Sequence, residues 1–248
     1  MAVPAAPVPD CPVLARLDRD RFDADEELRG PRAPFAVAGA VLKAQGALIR
    51  DVKDGRRLGS YLGSLFLAAV FFSAAYGAVL GLFQPGLQTL YAALKVPIVV
   101  VGTALLCAPT FYVFNSILGS RLSLGQTLCV VLFLAAGAGL VLVAFAPIAW
   151  FFTVSTGGVE FLTILHLGVF LAAALYGIRS LNAGRRYLAW LDATQTAING
   201  KVLALWFLLL VFVALQMAYY FRPLLLPGPF HQGERGLFVE ALAKSKAR

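Results

Sequence analysis

Five long stretches of apolar residues dominate the chain, with short polar segments between them. They run from about residue 58 to 83, 96 to 114, 127 to 152, 161 to 178 and 202 to 221. A helix rises 1.5 Å per residue, so each stretch is long enough to cross a hydrocarbon core of about 30 Å. Backbone groups in such a core must bond within their own segment, which favours helices. The pattern therefore predicts an all-α protein, a polytopic membrane bundle with five transmembrane helices.

Residues 35–57 precede the first stretch and show a helical period with two different faces. Apolar residues recur on one face, and a second face carries four basic residues, namely Lys43, Arg50, Lys53 and Arg57. This pattern predicts an amphipathic interfacial helix, too charged to span the membrane and suited to an anionic leaflet. Each cation beside such a surface contributes about 1 kcal/mol. The alternative is a solvated helix that packs on the protein's own cytoplasmic loops.

Two segments of different character flank the membrane-spanning part. Residues 1–34 are rich in proline and charge and lack the apolar core of a signal peptide, which predicts a flexible cytoplasmic arm. The transmembrane domain is expected at residues 58–222, and residues 223–248 form a short C-terminal tail. The chain is thus divided into an arm, a surface helix, a membrane domain and a tail.

Composition excludes a soluble globule, since 60% of the residues are hydrophobic and 14% are charged, against about 25% charged in ordinary soluble domains. The net charge of +8 could indicate nucleic acid binding, but the basic residues collect beside the spans. They favour a bilayer with anionic headgroups as the partner instead. Fifteen lysines and arginines fall on one side of the predicted topology and six on the other. This bias predicts a cytoplasmic N-terminus and an external C-terminus. The richness in Ala, Leu, Gly and Arg, with Arg well ahead of Lys, indicates a GC-rich bacterium and therefore an inner-membrane protein.

Candidate chemistry is sparse, because the chain has three cysteines without metal-ligand spacing and no catalytic motif. We therefore predict no enzyme activity, no cofactor and no metal site. Two intramembrane polar residues stand out, His166 and Gln216. We expect His166 to be a packed histidine bonded to a backbone carbonyl, with a titrating switch as the alternative, and Gln216 to make one interhelical hydrogen bond. Lys95, at the start of the second span, is expected to reach the headgroups.

The densest polar cluster near the membrane surrounds the turn between the second and third spans. It comprises Asn115, Ser116, Ser120, Arg121, Ser123 and Gln126. It is either a capped turn or a docking surface, and the loop 179–201 with Arg185 and Arg186 would extend that surface. Small residues at four-residue spacing, such as Ser73, Gly77 and Gly81, indicate close helix packing within the bundle or a homodimer seam.

Several segments resemble a set of bacterial membrane proteins with a Yip-like domain. They read AAYGAVLGLF (74–83), LKVPIVVVGT (94–103), PTFYVFNSILGSRLS (109–123), FAPIAWFF (145–152) and LQMAYYFRPLL (215–225). Five spans with a charged cytoplasmic arm also resemble the plan of the Yip family of Rab-GTPase-interacting membrane proteins. The resemblance implies a membrane organiser. The Asp-Leu-Tyr-Gly-Pro signature of the eukaryotic members is missing, however, since the equivalent region reads DVKDGRRLGSYLG.

The sequence as a whole favours a scaffold, an adaptor or an accessory subunit of a bacterial membrane complex. Its partner would be a membrane protein or a second copy of the chain, besides the lipid bilayer, and nucleic acid is not expected. The basic helix and the polar turn would be its contact surface. The competing hypothesis is a small-solute or ion channel or transporter, whose polar elements would include His166 and Gln216.

Overall fold

The computed structural model describes residues 39, 41, 45–55, 57–117, 122–191 and 200–221. All regular secondary structure in these ranges is helical, in the order α1 (Gln45–Lys53), α2 (Leu58–Gly81), α3 (Leu87–Ile117), α4 (Leu124–Ser155), α5 (Val159–Leu191) and α6 (Gly200–Tyr220). The five helices after α1 are long and apolar enough to cross a membrane. The predicted all-α, five-span membrane bundle is therefore confirmed. The predicted arm 1–34 and tail 223–248 lie outside the described residues.

The five spans run alternately up and down. Helix α2 packs against both α3 and α4, and α5 lies on α4 while α6 lies on α3. The short helix α1 lies on α4 and α5, at the end of the bundle where α2 and α4 begin and α3 ends. We call this the α1 end. The opposite, or far, end holds the turns 82–86 and 156–158.

Glycines allow the central helices to approach closely. A Cβ atom on Gly77 would lie 2.5 Å from the backbone oxygen of Ala92, and one on Gly139 would lie 3.1 Å from the Cβ atom of Phe72. Both contacts join helices of this chain, α2 to α3 and α4 to α2. Small residues permit such approach because no side chain separates the backbones. The predicted small-residue seams therefore serve packing within the bundle.

Two helices extend further than their apolar stretches indicated. Helix α3 begins at Leu87 and contains Pro97 inside it, so it spans 31 residues, about 46 Å. Helix α5 continues to Leu191, so Arg185 and Arg186 lie in a helix and not in the expected loop 179–201. The prediction placed both boundaries where polar or charged residues interrupt the apolar pattern. A helix needs only continuous backbone bonding, and part of each helix extends past a 30 Å core.

Candidate functional site

The apolar face of α1 packs on the protein itself. Leu48 and Val52 are buried, as are Gln45 and the helical residue Val41 that precede them. Positions 41, 45, 48 and 52 follow the helical period, and the three apolar ones belong to the main core cluster of the bundle. This face is consequently covered by the spans and is not available to lipid. The predicted amphipathic helix is present. Of its two interpretations, contact with lipid or packing on the protein, the second describes its apolar face. The contacts are to the spans, however, and not to the cytoplasmic loops.

Three polar contacts fix α1 to three different spans. The Tyr61 hydroxyl on α2 donates to Asp51 Oδ2 at 2.6 Å. Gln126 Nε2 on α4 donates to the carbonyl oxygens of Val52 at 2.9 Å and of Lys53 at 2.7 Å. Gln45 Nε2 donates to the Tyr176 hydroxyl on α5 at 3.2 Å. Because the three contacts come from separate helices, they define both the position and the direction of α1.

Gln126 also caps the start of α4. Its Oε1 atom accepts from the backbone N–H of Ser123 at 2.7 Å, and the Ser123 hydroxyl accepts from the Gln126 backbone N–H at 3.3 Å. This reciprocal pair is a capping box. The amide oxygen of one side chain thus caps the start of α4, while its nitrogen bonds carbonyls at the end of α1, where a helix leaves such groups without internal partners. The capped-turn interpretation holds for Ser123 and Gln126.

The turn between α1 and α2 has an unusual backbone. Gly55 has a φ of 72° and Arg57 a φ of 52°, both in the left-handed region. Glycine adopts this region freely, whereas arginine does so at a cost. The chain here reverses direction over a few residues, so that α1 lies beside the spans.

The predicted surface residues do not all lie on the surface. Arg57 is exposed and Lys53 is half-buried, and both lie at the α1 end. Asn115 is only 2% exposed, so its prediction as part of a contact surface is wrong. It lies one turn after the buried Phe111 and shares that inward face of α3.

The remaining predicted surface residues are only partly described. Lys43 and Arg121 lie outside the described residues, and the side chains of Arg50, Arg185 and Arg186 also lie outside that part of the chain. Arg50 belongs to α1, and Arg185 and Arg186 belong to α5, the helix that α1 contacts. The backbone therefore carries these three residues to the same end of the bundle as Lys53 and Arg57.

The two intramembrane candidates lie on different helices. His166 on α5 is buried, and its Nδ1 atom lies 2.7 Å from the Tyr76 hydroxyl of α2. The expected packed histidine is present, but its partner is a hydroxyl and not a backbone carbonyl. His166 Nε2 has no hydrogen-bond partner among the described residues. Gln216 is half-buried on α6.

Lys95 differs most from its prediction. Its side chain is 0% exposed, whereas we expected it to reach the headgroups. Helix α3 begins eight residues earlier, and Lys95 shares its inner face with Gln88 and Ala92, which contact Gly81 and Gly77 of α2. The lysine therefore lies two turns inside the span and is covered by the bundle.

Several residues that bond α1 to the spans were not predicted. They are Asp51, Tyr61 and Tyr176, together with the second bonding role of Gln126. The Ser-x-x-Gln spacing at 123–126 is a sequence signal for a helix start. A tyrosine in an apolar span is also a signal, because its hydroxyl needs a partner. Neither signal identifies α1 as that partner.

The described residues contain no group of three or more histidines, cysteines or acidic residues that could hold a metal ion. Cys107 and Cys129 are both buried and free. No family model, curated protein or solved structure matches this chain. The resemblance to the Yip family stays a prediction.

Proposed function

We propose that this chain is a non-catalytic membrane scaffold or adaptor, or an accessory subunit of a membrane complex, in a bacterial inner membrane. The observation that carries the proposal is the fixed position of α1. Polar side chains from α2, α4 and α5 hold this helix, and its basic residue Lys53 lies at its end. The α1 end would face the cytoplasm, in agreement with the excess of basic residues on that side.

A fixed surface helix suits recognition better than simple anchoring. A lipid anchor needs only an apolar face turned toward the membrane, yet the apolar face of α1 is buried in the protein. Its remaining surface is then held in one orientation before a partner arrives. Such preorganisation reduces the entropy lost on binding. This supports a contact surface for a protein partner or a second copy of the chain.

The interior of the spans also favours a structural role over a solute pathway. Three buried hydroxyl groups bond to carbonyls of their own helix: Ser73 to Ala69, Thr127 to Ser123 and Thr153 to Ala149. A pathway needs a row of polar groups directed at a common channel. The observations that would favour a pathway are the buried Tyr76–His166 pair and the buried Lys95 on the inner face of α3.

The experiment is a pull-down of the full chain in mild detergent, followed by mass spectrometry of proteins that co-purify at comparable stoichiometry. We expect one stoichiometric partner, or a second copy of the chain. The double variant Lys53→Glu/Arg57→Glu should reduce recovery of that partner at least ten-fold, because two favourable charge contacts become repulsive.

The control introduces two glutamates at the far end instead, through Gln84→Glu and Gly157→Glu. Both positions are exposed, and a side chain at Gly157 meets nothing within 4 Å. This control should recover the partner as wild type does. A chain that purifies alone as a monomer, or a partner that is equally insensitive to both double variants, would contradict the proposed surface.

A further inference from the structure

A buried polar contact joins α2 to α5 in the far half of the bundle. The Tyr76 hydroxyl lies 2.7 Å from His166 Nδ1, and the two rings meet edge to face with their centroids 5.7 Å apart. His166 is only 4% exposed, and its Nε2 atom has no hydrogen-bond partner in the described part of the chain. The site therefore bonds one nitrogen of the imidazole ring and leaves the other without a partner.

This site suits a neutral histidine and not a cationic one. A neutral imidazole has one donor and one acceptor nitrogen, whereas a protonated imidazole has two donors. The second donor would be the Nε2–H group, for which the described residues provide no acceptor. A buried charge without a counter-charge is also costly in a membrane. The closed contact between Tyr76 and His166 therefore opposes protonation of the ring.

The described helices around His166 carry no acidic group that faces it. Helix α4 has one titratable residue, Cys129, which lies at its opposite end. Helix α2 contributes Tyr76, and α3 carries the buried Lys95 between two members of the apolar cluster that contains Tyr76. Glu160 of α5 is exposed, six residues before His166. Helices α1 and α6 meet α5 nearer the α1 end. A hydroxyl and a lysine supply no negative charge for an imidazolium.

The far half of α5 is less constrained than the central spans. Two successive glycines, Gly157 and Gly158, lie in the turn before it, and a Cβ atom on Gly157 would meet nothing within 4 Å. Glycine permits backbone changes that other residues resist. Helix α5 also buries a smaller share of its residues than α2, α3 or α4. Elements with few buried contacts open locally before the whole protein unfolds.

We propose that protonation of His166 from the far side of the membrane releases the far half of α5 from α2, which makes this contact an acid-sensitive switch. An imidazole in water takes up a proton near pH 6.5, and the open form hydrates the ring. The closed form binds no proton there and the open form binds one. The open-to-closed ratio should therefore rise about ten-fold for each pH unit below about 6.5, and stay constant above about pH 7.5. This switch does not depend on a partner at the α1 end.

The test is the distance between spin labels at Gln84→Cys, in the turn after α2, and Thr163→Cys on α5. Both positions are exposed. The full chain, with its native cysteines replaced by serine, is measured in lipid nanodiscs by double electron-electron resonance. We expect one distance at pH 8 and a second, longer distance that grows between pH 6.5 and pH 5. His166→Gln should keep the single distance at every pH, because glutamine can bond the Tyr76 hydroxyl and does not titrate.

Two further variants make the result specific. Tyr76→Phe removes the hydrogen bond but keeps the imidazole, so it should raise the open-to-closed ratio about five-fold at each pH. His231→Gln removes the other histidine of the chain, which lies outside the described residues, and should respond to pH as wild type does. A single distance in the wild-type background at pH 5, a response that persists in His166→Gln, or a response lost in His231→Gln would each overturn the proposal. If His166→Gln does not fold, an unchanged ratio in Tyr76→Phe overturns it equally.

Discussion

At Gly77 the absence of a side chain allows α2 and α3 to touch. A Cβ atom there would lie 2.5 Å from the backbone oxygen of Ala92 and 3.0 Å from the Cα atom of Ala93. Both neighbours are backbone atoms, so neither can rotate away as a side chain would. Lipid tails are as apolar as the helices, which leaves close packing as a main source of stability in the membrane. The close contact between α2 and α3 therefore requires glycine at position 77.

We expect Gly77→Ala to lower the free energy of unfolding by about 1–3 kcal/mol, because the two backbones must separate to admit the methyl group. The measurement is unfolding of the purified protein in detergent, followed by circular dichroism. Gly63→Ala is the control on the same helix, since a Cβ atom at Gly63 meets nothing within 4 Å. It should be neutral or slightly stabilising, because alanine favours the helix. Equal losses in the free energy of unfolding of the two variants would show that the α2–α3 contact at Gly77 can accommodate a side chain.

Residue spacing predicted the Gly77 seam but not the position of Lys95. The Ser73–Gly77–Gly81 repeat lies on one helix face wherever the helix begins, so its packing role follows from sequence alone. The environment of Lys95 depends instead on where α3 starts. Gln88 and Thr89 interrupt the apolar pattern there, although the structure buries Gln88 against α2. Lys95, which the sequence predicts at the start of a span, is therefore inside the bundle.

The short helix α1 shows how one element can depend on side chains from others. Its described part has nine residues, Gln45–Lys53. Burial of Leu48 and Val52, and the bonds from Gln126 to its last carbonyl groups, stabilise this part of the helix. The sequence predicts its amphipathic pattern. The sequence does not predict which surface the apolar face covers, because packing on lipid and packing on protein require the same pattern.

The two roles of Gln126 can be separated by Gln126→Glu. A glutamate retains the oxygen that accepts from the Ser123 N–H, so the cap of α4 should persist. It loses the donor to the Val52 and Lys53 carbonyls and places a carboxylate beside them. Hydrogen exchange of the α1 amides should therefore accelerate roughly ten-fold, which corresponds to about 1.4 kcal/mol of lost local stability.

Gln84→Glu is the control for this exchange measurement, because it introduces the same charge in the exposed far-end turn. It should leave exchange in α1 unchanged, and neither variant should alter exchange in the middle of α3. If Gln126→Glu exchanges in α1 as slowly as wild type, then the Gln126 bonds do not hold the helix, and burial alone must do so.

The molecule as a whole has polar contacts in both halves of the bundle. Tyr61 and Gln126 bond α1 at the α1 end, whereas Tyr76 and His166 meet nearer the turns 82–86 and 156–158 of the far end. Span number and helix class followed from the length of the apolar stretches, which the bilayer dictates. The contacts between distant positions, such as Gln45 with Tyr176, arise only when the bundle assembles. The hydrophobic period of the sequence does not predict such contacts.

Orientation in the membrane is the whole-molecule property on which the proposed contact surface depends. The fifteen-to-six distribution of basic residues predicts a cytoplasmic α1 end and an external far end. In a chain whose native cysteines are replaced by serine, Asp54→Cys and Gln84→Cys place single thiols in exposed turns at the two ends. A membrane-impermeant maleimide applied to intact spheroplasts should label the Gln84→Cys chain at once and the Asp54→Cys chain only after permeabilisation. The reverse pattern would place α1 outside the cell, where a cytoplasmic partner could not reach Lys53 or Arg57, and the adaptor proposal would fail with it.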